Sequence, residues 1–232
     1  MASSPFSLFH DWNLNWQRQP RFNKPAHLGN SPKEEQAVKA AATTGIIGGQ
    51  QLSRYFNVDK SKKKKMAKEG KLIRHEIHQG KKNIPIFTLG PTGAEMIGLT
   101  DYEGGYWAQY DVPDVLQRLL FFELYHKFPK ANMLPAPAPF VGAIEFKSHL
   151  FYVYVVRGDM QDLLMHLKWK PFTERMLIVT ESLNHLQPLN IYAEDIKARV
   201  TTDEDLQGDF NDLFYKWEDG WVKENQPTGK VQ

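Results

Sequence analysis

The sequence predicts an α+β protein built in two parts. Three observations carry that reading: short helical segments followed by a β hairpin between Ser31 and Leu99, strands alternating with helices between Pro113 and Val222, and a charge split between the two stretches. From Met1 to Gly98 there are 16 Lys/Arg against 7 Asp/Glu, whereas Leu99 to Gln232 hold 13 against 20. A basic front half joined to an acidic back half points to a polyanionic partner for the front half.

A chain of 232 residues with 41% apolar content is long enough for two hydrophobic cores. There is no cysteine, which removes disulfides, thiolate zinc sites and cysteine nucleophiles together. The longest apolar run, Leu150 to Val156, spans seven residues and falls far short of a bilayer. The start, Met1 to Phe6, has neither the basic residues nor the apolar stretch of a signal peptide. The expectation is a soluble cytoplasmic protein without a membrane partner.

Residues 1–30 carry isolated aromatics (Phe6, Phe9, Trp12, Trp16, Phe22) without periodicity, and read as an N-terminal arm that docks through its rings. Ser31, Pro32 and Glu34 form a helix start: a capping hydroxyl, a proline in the first turn and a carboxylate three residues after the cap. The helix they open runs from Lys33 to about Thr44 and stops near Gly45. Gln50 to Phe56 forms a second helix, with Leu52, Tyr55 and Phe56 on one face. Asp59 caps a third, Lys60 to Glu69, which ends at Gly70. Lys71 to Ile77 alternates as a strand, Ile84 to Leu89 returns antiparallel to it, and His78 to Asn83 makes a basic tip. Three helices and a basic hairpin over 31–99 are the parts of a winged helix-turn-helix.

The third helix concentrates charge: Lys60, Lys62, Lys63, Lys64, Lys65 and Lys68, with Met66 and Ala67 left to face the core. Crowded ammonium groups repel one another, and a polyanion relieves that repulsion. Lysine suits phosphates as a point charge, while guanine is read more often by arginine's fork. The helix therefore promises affinity more than base discrimination. Candidate DNA contacts are these six lysines, Ser61 as a base reader, and Gln50, Gln51 and Arg54 as groove or backbone contacts. On the hairpin they are Arg74, His78, Lys81 and Lys82. A merely solvated lysine run is the competing reading.

Thr100 to Val112 reads as a linker, and Pro113 to Phe128 as a strong helix whose apolar set is too broad for one face. That surplus suits a position between domains or a dimer interface. Pro135, Pro137 and Pro139 enforce an extended segment. Phe140–Phe146 and Leu150–Val156 pair as a hairpin, a helix runs from Asp159 to Lys168, and Met176–Thr180 is a buried strand. A helical turn at Ser182–Leu186, a strand at Lys197–Thr202 and a final helix at Asp209–Trp217 complete a small α/β domain over 113–222, followed by a frayed tail, 223–232.

The segment Phe87-Thr88-Leu89-Gly90-Pro91-Thr92-Gly93-Ala94-Glu95-Met96-Ile97-Gly98, together with the winged helix and the later pair of strands, resembles the replication-relaxation family of plasmids and mobile elements. The resemblance implies DNA binding in plasmid replication or transfer, replication or transfer proteins as partners, and a second domain like a degenerate restriction-endonuclease core. Such a nuclease needs an acid on one strand and acid-x-lysine on the next to hold a metal. This chain has Pro139-Phe140 at the first position and Tyr152 to Val156 at the second, while Glu145-x-Lys147 sits on the earlier strand. His75 and His78 are an odd number apart on a strand and point to opposite faces, and no phosphate-loop or serine-hydrolase motif occurs. No catalytic residue, metal or cofactor is assigned. The leading expectation is a winged-helix transcriptional regulator or plasmid accessory factor binding duplex DNA as a homodimer. A metal-dependent nuclease and a protein-interaction module are the alternatives.

Overall fold

The computed structural model describes residues 4–19 and 31–224. Phe22 and the rest of 20–30, and the tail from Asn225, lie outside the described residues. The protein is mixed α+β and divides into two compact units: Leu8–Phe122, and Met1–Ser7 with Glu123–Gln232. No helix among the described residues is long and apolar enough to cross a membrane.

The first unit contains β1 (Trp12–Asn15), α1 (Pro32–Thr44), β2 (Ile46–Gly48), α2 (Gly49–Phe56), α3 (Lys60–Lys68), β3 (Leu72–Gln79), β4 (Lys82–Leu89), α4 (Pro91–Met96) and most of α5 (Val112–Tyr125). The Ser31 hydroxyl accepts from the Glu34 N–H at 3.3 Å, and α1 ends where Gly45 turns left-handed at φ 84°. Asn57 supplies a second left-handed stop, at φ 53° after α2, and Asp59 caps α3. The sheet runs β1-β3-β4-β2, antiparallel throughout. Ala37, Val38, Ala41, Ile46, Leu52, Val58, Met66, Leu72, Ile77 and Ile86 are buried and form its core.

A charged cluster lies within that core. The Lys71 ammonium is fully buried, 2.6 Å from Glu34 and 3.1 Å from Glu69, so the end of α3 is fastened to the start of α1. Burial alone would lower the Lys71 pKa, but its hydrogen bonds and the charges of Glu34 and Glu69 outweigh burial and raise it. Gly90 and Gly93 bring α4 against the same turn: the Gly90 N–H donates to the Lys71 carbonyl at 3.0 Å and the Thr92 N–H to the Gly70 carbonyl at 3.1 Å. A Cβ at either glycine would stand 2.2 Å from a backbone oxygen, which only glycine avoids.

The expected linker and the N-terminal arm are both folded parts of this unit. The supposed linker holds a 3₁₀ turn, Tyr106–Gln109, with Trp107 buried. The Tyr106 hydroxyl donates to the Gly45 carbonyl at 2.8 Å and accepts from the Leu89 N–H at 3.0 Å. Burial pushes the Tyr106 phenol well above its ordinary range. The aromatic groups on this segment have surface to bury, and that binds it down. Likewise, the arm adds β1 to the edge of β3, Trp12 opposite Gln79 and Asn15 opposite Glu76. Beyond β1 the Gln17 N–H donates to His75 Nδ1 at 2.9 Å, and the His75 ring lies against Trp16 and Trp107 with centroids 4.9 and 5.0 Å away.

The second unit is built on a seven-stranded sheet: β5 (Asn132–Leu134), β6 (Gly142–Phe146), β7 (His149–Val155), β8 (Arg175–Thr180), β9 (Lys197–Thr202), β10 (Tyr215–Trp217) and β11 (Trp221–Lys223), in order β11-β10-β9-β8-β7-β6-β5. β7, β8 and β9 are parallel, and both flanks are antiparallel. α6 (Gln161–Trp169) and a 3₁₀ segment, Leu183–Tyr192, supply Leu163, Leu167, Leu186 and Leu189 to a core with Tyr154, Ile178 and Val200. Ser4 and Phe6 belong to this unit: Arg157 pairs with Asp203 in the interior and donates to the Phe6 carbonyl at 3.1 Å, while the Ser4 hydroxyl donates to Asp203.

The helix expected at Asp209–Trp217 does not form. Phe210–Asp212 makes one 3₁₀ turn, and the chain then enters the β10–β11 hairpin around Asp219 (φ 55°) and Gly220. Asp-Gly between Trp217 and Trp221 is a hairpin signal, and the two indoles pair across the strands at 5.3 Å.

Candidate nucleic-acid interface

α3 is anchored by few side chains, which decides which lysines face out. Met66 is buried beneath it, Lys62 and Lys63 are half-buried, and Lys60, Ser61, Lys64, Lys65 and Lys68 are exposed. Spaced at i, i+4 and i+8, Lys60, Lys64 and Lys68 line one stripe, with Ser61 and Lys65 beside it. Lys65 lies 3.7 Å from Glu69, a loose exposed pair of little worth. Among the described residues no acid lies at ion-pair distance from Lys60, Lys62, Lys64 or Lys68.

Lys63 is different. Its ammonium donates to the Gly49 carbonyl at 2.6 Å and to the Ser53 hydroxyl at 2.8 Å, which ties α3 to α2. Partial burial lowers its pKa, against the opposing charge of Asp59. Lys63 is a strut between helices rather than a free phosphate contact. Gln51 also leaves the candidate set: it is buried, its carbonyl accepts from the Gly48 N–H at 3.0 Å, and its amide donates to the Leu119 carbonyl at 2.7 Å. At Gln51 the unsatisfied N–H at the start of α2 explains the capture, since a long side-chain amide reaches back to accept from it. Gln50 and Arg54 are exposed on α2.

The hairpin of β3 and β4 closes in two residues, with Gly80 left-handed at φ 55° and Lys81 beside it. Lys81 and Lys82 are exposed at the tip. Arg74 pairs with Glu76 at 2.7 Å, Asn83 donates to the same carboxylate at 2.8 Å, and the His78 ring lies 3.8 Å from it. Among the candidate contacts, the outward cations without an acid at ion-pair distance are therefore Lys60, Lys64 and Lys68 of the α3 stripe, Lys62, Arg54 and the hairpin tip.

His75 faces the other way from His78. Its Nδ1 accepts the Gln17 N–H, so the neutral ring carries its proton on Nε2 and donates it to the Thr88 hydroxyl at 2.8 Å. Burial pushes its pKa down to about 4.

In the second unit Glu145 of β6 accepts from the Asn132 amide at 2.9 Å and stands opposite Leu150 of β7, flanked there by His149 and Phe151. Among the described residues no three His, Asp or Glu side chains gather closely enough to hold a metal ion. Val115, Leu116, Leu119, Leu120, Phe121, Phe122 and Leu124 of α5 are all buried. Compared with family models, curated proteins and solved structures, the chain matches none.

Proposed function

We propose that the first unit is a winged helix-turn-helix and that it binds duplex DNA through α3 and the hairpin tip. The order α1-β2-α2-α3-β3-β4, with β2 pairing β4 and β4 pairing β3, supports the fold assignment. One observation carries the function: Lys60, Lys64 and Lys68 form an exposed, acid-free stripe on the helix that leads into a hairpin tipped by Lys81 and Lys82. α3 acts as the recognition helix at the major groove, with Ser61 its one short polar reader, and the tip meets the adjacent backbone. Lysine-led contact favours phosphates over base edges, so binding is tight and modest in sequence preference. A role as regulator or as accessory to plasmid replication or transfer rests on the resemblance of Phe87–Gly98 alone. A homodimer would match the two-fold symmetry common at DNA sites.

Fluorescence anisotropy with a duplex of mixed sequence tests the reading. At about 50 mM salt, Lys64→Glu/Lys68→Glu should weaken binding at least about 30-fold. Lys63→Met should change stability more than affinity, because that ammonium is spent on Gly49 and Ser53. Unchanged affinity of the stripe variant overturns the assignment.

A further inference from the structure

The acidic half of the molecule contains a basic cleft. One face of the second unit's sheet packs on α6. On the opposite face, His149 and Phe151 of β7, Arg175 of β8, Lys197 and Arg199 of β9 and Lys216 of β10 line a cleft of about 500 Å³. Phe151, Arg175 and Lys197 stand side by side in register across three parallel strands. From Glu123 to Gln232 the chain has 12 Lys/Arg against 16 Asp/Glu. Four of those cations meet in this cleft with a single acid, Glu224, which is already bound to Arg199 at 2.6 Å.

Such a grouping costs stability in the empty protein, because like charges on adjacent strands repel. Lys216 has Glu218 at 2.6 Å, but Arg175 and Lys197 have no acid at ion-pair distance among the described residues. Arg175 instead lies over the Phe151 ring, 5.9 Å from its centroid. Beneath the cations the floor is apolar: Phe151 and Leu177 are buried. His149 stands edge-on to Phe151 at 6.4 Å.

We propose that this cleft binds a small polyphosphate-bearing ligand of the nucleoside phosphate class. Its volume is that of a small-molecule site. Arg175 offers a planar fork and Lys197 a point charge to adjacent phosphate oxygens, and the rings of Phe151 and His149 offer a planar base an aromatic wall. Its one carboxylate is engaged by Arg199, and the rest of its polar lining is basic, which suits binding of an anion. It is separate from the lysine stripe and gives the second unit a ligand of its own.

Isothermal titration of the full chain with ATP, GTP, pyrophosphate and inorganic phosphate tests this, with a short oligothymidylate as a separate arm. Saturable binding of one nucleoside triphosphate per chain is expected, at least about tenfold tighter than pyrophosphate because the base adds its own contact. Arg175→Gln/Lys197→Gln should weaken it at least about tenfold while the unliganded chain melts no lower than wild type, since both side chains are exposed and their mutual repulsion is removed. Lys64→Glu/Lys68→Glu should leave it unchanged. Failure of every small phosphate to bind at about 1 mM overturns the proposal. So does binding that survives the cleft variant but is lost on the stripe variant, or retention of the oligonucleotide alone.

Discussion

Acidification should weaken this protein through His75 well before most carboxylates protonate. The imidazole is fully buried, and burial pushes its pKa from 6.5 to about 4. The unfolded chain takes up a proton there as pH falls through about 6.5, whereas the folded chain does not until about 4. Stability from the neutral ring is therefore complete above pH 6.5 and lost progressively on the way down to 4. That interval amounts to about 3 kcal/mol, a large share of a domain's stability. A proton added at Nδ1 would face the Gln17 N–H, which now donates to that atom, so the arm is the first element released. Urea unfolding of wild type and His75→Gln at a series of pH values between 7 and 4 isolates the effect, with Trp16 and Trp107 beside the ring as fluorescent reporters. The gap between the two stabilities should narrow by about 3 kcal/mol over that interval. Parallel stability curves would refute the buried neutral histidine.

Three further outcomes follow from the packing and the charges. Lys71→Met should cost about 3–5 kcal/mol, because it leaves the buried Glu34 carboxylate uncompensated, and Glu34→Gln/Lys71→Met should recover part of the loss; thermal melts read both. Gly93→Ala should destabilise by several kcal/mol (about 3 or more), since its Cβ would meet the Lys71 carbonyl at 2.2 Å, whereas Gly80→Ala meets nothing and suffers only from its left-handed φ; their urea midpoints should differ accordingly. Lys63→Met should lower stability by about 1 kcal/mol through lost hydrogen bonds to Gly49 and Ser53, measured in the same way.

Local signals revealed most of the first unit. Ser31, Asp59 and the glycines at 45 and 70 announce their helix ends because caps are set by a few neighbouring atoms. The alternation from Lys71 to Leu89 marked the hairpin for the same reason. Long-range destinations were not legible. Gln51 and Lys63 read as surface groups, because nothing in their neighbours shows that a distant carbonyl, that of Leu119, or one on the preceding helix, that of Gly49, will claim them. The arm's aromatics announced docking but not its place, and the supposed linker looked loose for lack of period, yet Gln17 finds His75 and Tyr106 finds Gly45, contacts 58 and 61 residues apart. At Asp209–Trp217 the helical spacing of Phe210, Leu213, Phe214 and Trp217 is misleading, and Asp219-Gly220 is the local signal that matches the hairpin formed. The basic cleft of the second unit could not be read at all: Phe151, Arg175 and Lys197 become neighbours only through the register of parallel strands.

The salt dependence of duplex binding tests the central claim most directly. If Lys60, Lys62, Lys64, Lys65, Lys68, Lys81 and Lys82 each neutralise a phosphate, log K should fall against log salt with a slope of about −6, and Lys64→Glu/Lys68→Glu should flatten it by about 2. A slope near zero, or the same slope in that variant, would contradict the assignment of α3 to DNA.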